Sequence, residues 1–187
     1  MPPLTRRGLL RGVLEREPAP SPAESTRART TPGLPPRRRP PGAVAEALFL
    51  RQCDGCRDCV TACPHHAVYT LAEHVGIGAG TPVMLPHERA CWMCTGFPCA
   101  QACPTDALTP PQGETWPLGT VRLVESRCLP FLGPECGACR GLCPAGVEAL
   151  TIRNNRPVVD AVACVGCGKC IEACPVRPRA LELVELG

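Results

Sequence analysis

Apolar and polar positions alternate along this chain only in short runs. VRLVE at 121–125, LTIR at 150–153, PVVDA at 157–161 and LELVEL at 181–186 each suit one short strand. Other segments carry a few helix-compatible apolar positions: HHAV at 65–68, TDAL at 105–108, AGVEAL at 145–150 and VRPRAL at 176–181. The pattern predicts a series of small units, each a short strand, a loop, a turn of helix and a second short strand. Residues 1–45 break it. Beyond LLRGVL at 9–14 they show no apolar periodicity, and ten prolines and nine arginines stand against three acidic residues. That composition predicts a disordered Pro/Arg-rich tail at 1–45 and a folded region at 46–187. The basic run at 37–39 reads as a solvated part of the tail, since no nucleic-acid motif or interleaved aromatic residue accompanies it. No uncharged apolar run reaches the roughly 20 residues of a membrane span.

The folded region is short of material for a conventional core. Six residues are aromatic (Phe49, Tyr69, Trp92, Phe97, Trp116, Phe131), against 24 prolines and 18 glycines. Chains with thin cores are held instead by disulfides or metal centres. Sixteen cysteines are available, and they fall into four quartets with none left over. The quartets are Cys53, Cys56, Cys59, Cys63; Cys91, Cys94, Cys99, Cys103; Cys128, Cys136, Cys139, Cys143; and Cys164, Cys167, Cys170, Cys174. Each closes with C-x3-C and a proline, as CVTACP, CAQACP, CRGLCP and CIEACP. This is an internal repeat of roughly 30 to 40 residues.

Disulfides, zinc and iron–sulfur clusters compete for such a pattern. Disulfides need an oxidising compartment. TRRGLL at 5–10 looks like the start of a twin-arginine export signal, but Arg11, Glu15, Arg16 and Glu17 interrupt the apolar stretch of about 7 to 15 residues that a signal requires. The chain is therefore expected in the cytoplasm, where dense cysteine more often binds metal. Structural zinc sites take two C-x2-C knuckles across a longer spacer, or mix in histidine. Here three cysteines spaced by two, then a fourth after three residues and a proline, form the bacterial ferredoxin run for a 4Fe–4S cluster. Three thiolates from one tight loop wrap three irons of a cube, while the fourth points away to the other cluster of a pair. The first and fourth quartets match that run, and soft thiolates without histidine suit it.

The second quartet reads C-x2-C-x4-C-x3-CP and the third C-x7-C-x2-C-x3-CP. Both lengthen the loop and leave its end intact. Loop insertion is inexpensive in closure entropy, so all sixteen cysteines remain the expected iron ligands and four 4Fe–4S clusters the expected cofactors. The expected fold is α+β: tandem bacterial-ferredoxin-like modules, with short strands and helices around the four clusters. Charge adds a point that the net +3 conceals. Nine of the 20 basic and three of the 17 acidic residues lie in the tail, which leaves the folded region with 11 basic against 14 acidic. Each cluster with its thiolates adds about −2. A redox partner is expected to offer a basic or neutral patch and to bind more weakly as salt rises.

The quartets resemble those of the ferredoxin-type iron–sulfur proteins of the NapF, NapG and MauM group. The resemblance covers roughly residues 50–185 and rests on CLPFLGPECGACRGLCP at 128–144 followed by CVGCGKCIEACP at 164–175. TRRGLLRG at 5–12 resembles the opening of the cytoplasmic NapF proteins, and CWMCTGFPCAQACPTDAL at 91–108 looks more like NapG. A NapF-like assignment implies a small polyferredoxin that helps mature or reduce the molybdenum-containing catalytic subunit of a periplasmic nitrate reductase. A NapG-like assignment implies passage of electrons from quinol toward that enzyme. The resemblance to four-cluster ferredoxin subunits also implies that quartet one pairs with four and two with three. Cys53, Cys56 and Cys59 would then share a cube with Cys174, and Cys164, Cys167 and Cys170 one with Cys63. Likewise Cys91, Cys94 and Cys99 would join Cys143, and Cys128, Cys136 and Cys139 would join Cys103.

Several other residues have a plain reading. Since every quartet is complete, His65 and His66 read as surface residues. Trp92, inside a cysteine loop, reads as buried beside a cluster. Lys169, the only lysine, either raises a cluster's potential by its charge or faces solvent. Val121, Leu123, Val158, Val162 and Leu183 read as packing against the cubes. No nucleophile, acid–base pair or phosphate loop is present, so the chain reads as an electron carrier or an assembly factor and not as an enzyme.

Overall fold

A computed structural model of the protein describes residues 37–144 and 147–184. The tail reading of residues 1–36, with TRRGLL and LLRGVL, lies outside the described residues. The elements, in order, are α1 (Glu46–Gln52), α2 (Asp58–Thr61), β1 (Val68–Thr70), β2 (Pro82–Met84), α3 (Pro98–Gln101), β3 (Thr120–Leu123), α4 (Leu129–Leu132), β4 (Leu150–Arg153), β5 (Arg156–Val159), α5 (Lys169–Ala173) and β6 (Leu181–Val184). Helices of four to seven residues do not stand alone in water, so their packing and their cysteines must hold them.

The two halves of the chain repeat one layout. In the second half, β3 and β6, the first and last strands, pair antiparallel with Val121 opposite Leu183, while β4 and β5 form an inner hairpin. Asn154 and Asn155 turn that hairpin at φ 48° and 62°, a left-handed pair that asparagine tolerates. In the first half, β1 and β2 pair antiparallel, and among the described residues a bridge between Ala43 and Leu108 stands in place of the outer sheet. The expected strands at 121–125, 150–153, 157–161 and 181–186 thus appear as β3, β4, β5 and β6. The expected helical turns do not. HHAV, TDAL and VRPRAL form no helix, AGVEAL lies partly outside the described residues, and helical turns lie earlier, on the C-x3-C segments of the first, second and fourth quartets. In those three quartets the proline after the fourth cysteine keeps the helix from continuing.

Apolar residues fill each half and meet between them. Phe49, Met84, Phe97 and Leu118 are buried around the first half, and Cys167 of the second half packs into the same cluster. Val121, Ile171 and Leu181 form the core of the second half. Leu123 and Leu183 are partly buried against it, but Val158 is 43% exposed and Val162 97% exposed, contrary to expectation. On β5 it is Val159 that packs inward, so the strand lies one residue out of the phase assumed for it. Val162 sits in a turn where Asp160 Oδ1 accepts the N–H groups of Val162 and Ala163.

Residues 37–45, read from the sequence as tail, are built into the fold. Arg39 is 6% exposed and makes a two-pronged pair with Glu46, through Nε to Oε2 at 2.8 Å and Nη2 to Oε1 at 2.6 Å. Its Nη1 donates to Thr81 Oγ1 and to the Pro82 carbonyl, and its guanidinium lies 4.4 Å from the Phe49 ring centroid. Each nitrogen of that fork donates to protein, which is why this arginine tolerates burial. Arg38 clasps the halves together. Its carbonyl accepts from Met84 N–H at 2.7 Å, Nε donates to the Leu118 carbonyl at 2.9 Å and Nη2 to the Val184 carbonyl at 2.7 Å.

Candidate metal centres

Three of the four cysteine loops turn into a short helix through a left-handed residue. Arg57 (φ 70°), Phe97 (φ 50°) and Gly168 (φ 85°) cap α2, α3 and α5, and each helix carries its quartet's third cysteine, Cys59, Cys99 or Cys170. The fourth cysteine follows past the helix end, where it leaves its own loop. Cys63 thereby comes to line one pocket with Cys91, Cys94 and Cys99. Cys143 lines another with Cys164, Cys167 and Cys170. Cys103 lies close enough to Cys59 to act on its charge, together with Cys53 and Cys56. Cys174 stands in the same relation to Cys128 and Cys139, alongside Cys136.

The sixteen thiols thus form four sets of three plus one. The first and second quartets exchange their fourth cysteines, and so do the third and fourth. This corrects the expected pairing of quartet one with four and two with three. Spacing reports how long a loop is and not which loop it faces. The β1–β2 hairpin returns the second quartet onto the first, and α2 and α3 pack together.

The lengthened loops have separate explanations. In the second quartet the extra residues bring in Phe97, which is 2% exposed and belongs to the core. In the third quartet they form α4, with Phe131 under the Arg156 guanidinium at 4.7 Å and Leu132 60% exposed.

All sixteen cysteines are free thiols. Burial pushes Cys59, Cys91, Cys99 and Cys170 up to about 12, and Cys139 to about 11. Cys103 goes the other way. Burial would raise it, but donors at Thr105, Leu108 and Ala107 overcome that and hold it below the ordinary thiol value. Backbone N–H groups also point at sulfur elsewhere, Ala67 at Cys63 Sγ over 3.3 Å and Val121 at Cys164 Sγ over 3.4 Å. The cavity walls are otherwise apolar, with Val121, Leu150 and Val159 around the Cys143 set. Four soft sulfurs per set, N–H groups aimed at sulfur and apolar walls fit a 4Fe–4S cube, whose thiolate ligands need such donors.

Three of the remaining expected residues, His65, Trp92 and Lys169, meet at one point. His65 stacks on Trp92 with centroids 4.4 Å apart and planes 7° from parallel, and Lys169 Nζ lies 4.6 Å from the Trp92 ring centroid. His66 is exposed. Trp92 is 48% exposed and not buried, because its neighbours Cys91 and Met93 turn inward instead. Arg38 and Arg39, expected in a solvated basic run, are instead bonded into the fold.

This is an iron–sulfur protein of two consecutive dicluster units. Residues 52–107 match a 4Fe-4S dicluster domain and residues 120–175 match a second. The chain is 36% identical over 165 residues to the ferredoxin-type protein NapG of Escherichia coli, covering 81% of this chain and 71% of that one. It is 37% identical over 162 residues to the methylamine utilization ferredoxin-type protein MauM of Methylorubrum extorquens, covering 80% and 74%. To NapF of Escherichia coli it is 30% identical over 149 residues, covering 77% and 84%. The chain belongs to the NapF, NapG and MauM group of ferredoxin-type proteins. It is an electron carrier and not an enzyme, and two dicluster domains call for four 4Fe–4S clusters, the number that sixteen cysteines can hold. Among the described residues no helix is long and apolar enough to cross a membrane.

Proposed function

We propose that the four cysteine sets ligate four 4Fe–4S clusters in one line and that the chain is a wire for single electrons. The order is Cys53, Cys56, Cys59 with Cys103; Cys91, Cys94, Cys99 with Cys63; Cys164, Cys167, Cys170 with Cys143; and Cys128, Cys136, Cys139 with Cys174. The observation that carries the reading is the hydrogen bond from Cys91 N–H to the Cys167 carbonyl at 2.8 Å, which brings the second and third sets together. Exchange of fourth cysteines joins the other neighbours. When bound, the clusters take up and release one electron each; the chain's part is to supply thiolates, aim N–H groups at sulfur and keep water from the cavities.

The partner we propose is the molybdenum-containing catalytic subunit of a nitrate reductase, met in the cytoplasm. Support comes from TRRGLLRG and from the similarity to NapF. The test mixes the anaerobically reduced chain with the oxidised, immature subunit. Reoxidation of the chain and a stable complex are expected; neither occurring rejects the partner. The higher identity to NapG and MauM favours a second reading, a subunit passing electrons from quinol to a nitrate reductase or to an enzyme of methylamine utilization. Reduction by a quinol-linked donor, with the protein in the periplasmic fraction, would select it.

A further inference from the structure

Lys169 is the only lysine of the chain, and it stands between Cys167 and Cys170, two members of the set that Cys143 completes. A lysine has a four-carbon stem and a strongly hydrated head, so an untethered ammonium there would be held mainly by water. This one is tethered. Its Nζ lies 4.6 Å from the centroid of the Trp92 ring, within cation–π reach. Trp92 belongs to the other half of the chain, beside Cys91, and its ring is fixed in turn by the stacked His65. The Cys91 to Cys167 hydrogen bond holds the two loops together at this point. Three cysteine-bearing segments therefore cooperate to place one positive charge, and it stands within electrostatic reach of Cys167.

A 4Fe–4S site with four thiolates carries about −2, and reduction adds another negative charge. A positive charge fixed against its ligand loop favours the reduced form, while the same charge loose in water is largely screened. We infer that Trp92 is a positioning residue that holds the Lys169 ammonium beside the Cys164, Cys167, Cys170, Cys143 site and so raises the reduction potential of its cluster. Because Trp92 and Lys169 come from different halves, that potential depends on the halves being docked. The inference rests on the cluster assignment made above.

The test is an EPR-monitored redox titration of the full chain, with dithionite and mediators, on four variants whose iron is counted first. Lys169→Met removes the charge and keeps the stem. One of the midpoints should fall, with the equilibrium constant for reduction at least tenfold lower, or about 59 mV for a one-electron couple. Trp92→Leu should lower the same midpoint although the lysine remains. Lys169→Arg and Trp92→Phe, which keep a cation over a ring, should hold it near the wild-type value. Unchanged midpoints in Lys169→Met at full iron content overturn the inference and leave the clusters standing. A shift in Lys169→Met with none in Trp92→Leu overturns the positioning role. A wild-type chain without iron overturns both the inference and the cluster reading beneath it.

Discussion

The backbone N–H of Cys91 donates to the carbonyl of Cys167 across 2.8 Å, joining a cysteine loop of one half directly to a cysteine loop of the other. Gly168, the next residue, lies against the Pro86 backbone at φ 85°, and a Cβ there would strike the Pro86 carbonyl. Gly168→Ala should therefore combine backbone strain with a clash and cost about 2 kcal/mol or more. It should also weaken the magnetic interaction between reduced clusters of different halves. Denaturant unfolding and EPR line shapes measure the two effects, and a variant with wild-type values in both would argue against a close junction.

The buried pair of Arg39 and Glu46 fixes the segment that precedes α1. Their side chains are 5% and 16% exposed. Removing one partner leaves the other charge without its counterion, which costs about 3–5 kcal/mol in buried pairs. Arg39→Met is expected in that range by urea unfolding. The exposed Arg122 and Glu182 make a comparable contact between β3 and β6, yet Arg122→Ala should change little, since solvent already satisfies both groups. Equal losses in the two variants would show that burial does not govern them.

Exchange of the fourth cysteines makes a specific claim about which substitutions act alike. Cys103→Ser should remove the same EPR signal as Cys56→Ser, and Cys63→Ser the same as Cys94→Ser. If Cys103→Ser and Cys94→Ser silence one and the same signal, the sets are local to each quartet and the geometry described above is wrong.

Burial also sets a pH dependence for the cluster-free chain. Cys59, Cys91, Cys99 and Cys170 are held at about 12 in the fold, against 9.0 for an ordinary thiol. As pH rises the unfolded chain loses these protons first, so it binds fewer protons than the fold through this window. Stability is then full below about pH 9 and declines as pH climbs toward about 12. The melting temperature of the cluster-free chain should fall between pH 8 and 11; a rise would contradict the sign. Because thiols must ionise to bind iron, cluster insertion at pH 7 should also release more protons than a protein-free blank.

The cysteine quartets were legible in the sequence because their spacing carries the chemistry by itself. Strands β3, β4 and β6 were legible because β-leaning runs there meet a buried face. The helical turns were misplaced because proline, read as the start of a segment after each quartet, in the first, second and fourth follows a helical turn that it does not let continue. Quartet pairing was out of reach, since Cys63 and Cys103 look alike in sequence and only the hairpin between them decides that they trade places. Arg39 was hidden among prolines and arginines. Its partners Glu46, Thr81 and Pro82 come together only on folding. Trp92 was misread because an aromatic residue between two cysteines suggests burial, whereas here it is Met93, 7% exposed, that turns inward.

The central claim is that four clusters occupy the four thiol sets, and its most direct measurement is iron and sulfide quantification of the anaerobically purified full chain, followed by low-temperature EPR during a redox titration. The account predicts about sixteen irons per chain and several interacting S = 1/2 signals on reduction. Little iron under anaerobic handling, with zinc or disulfides in its place, would contradict it.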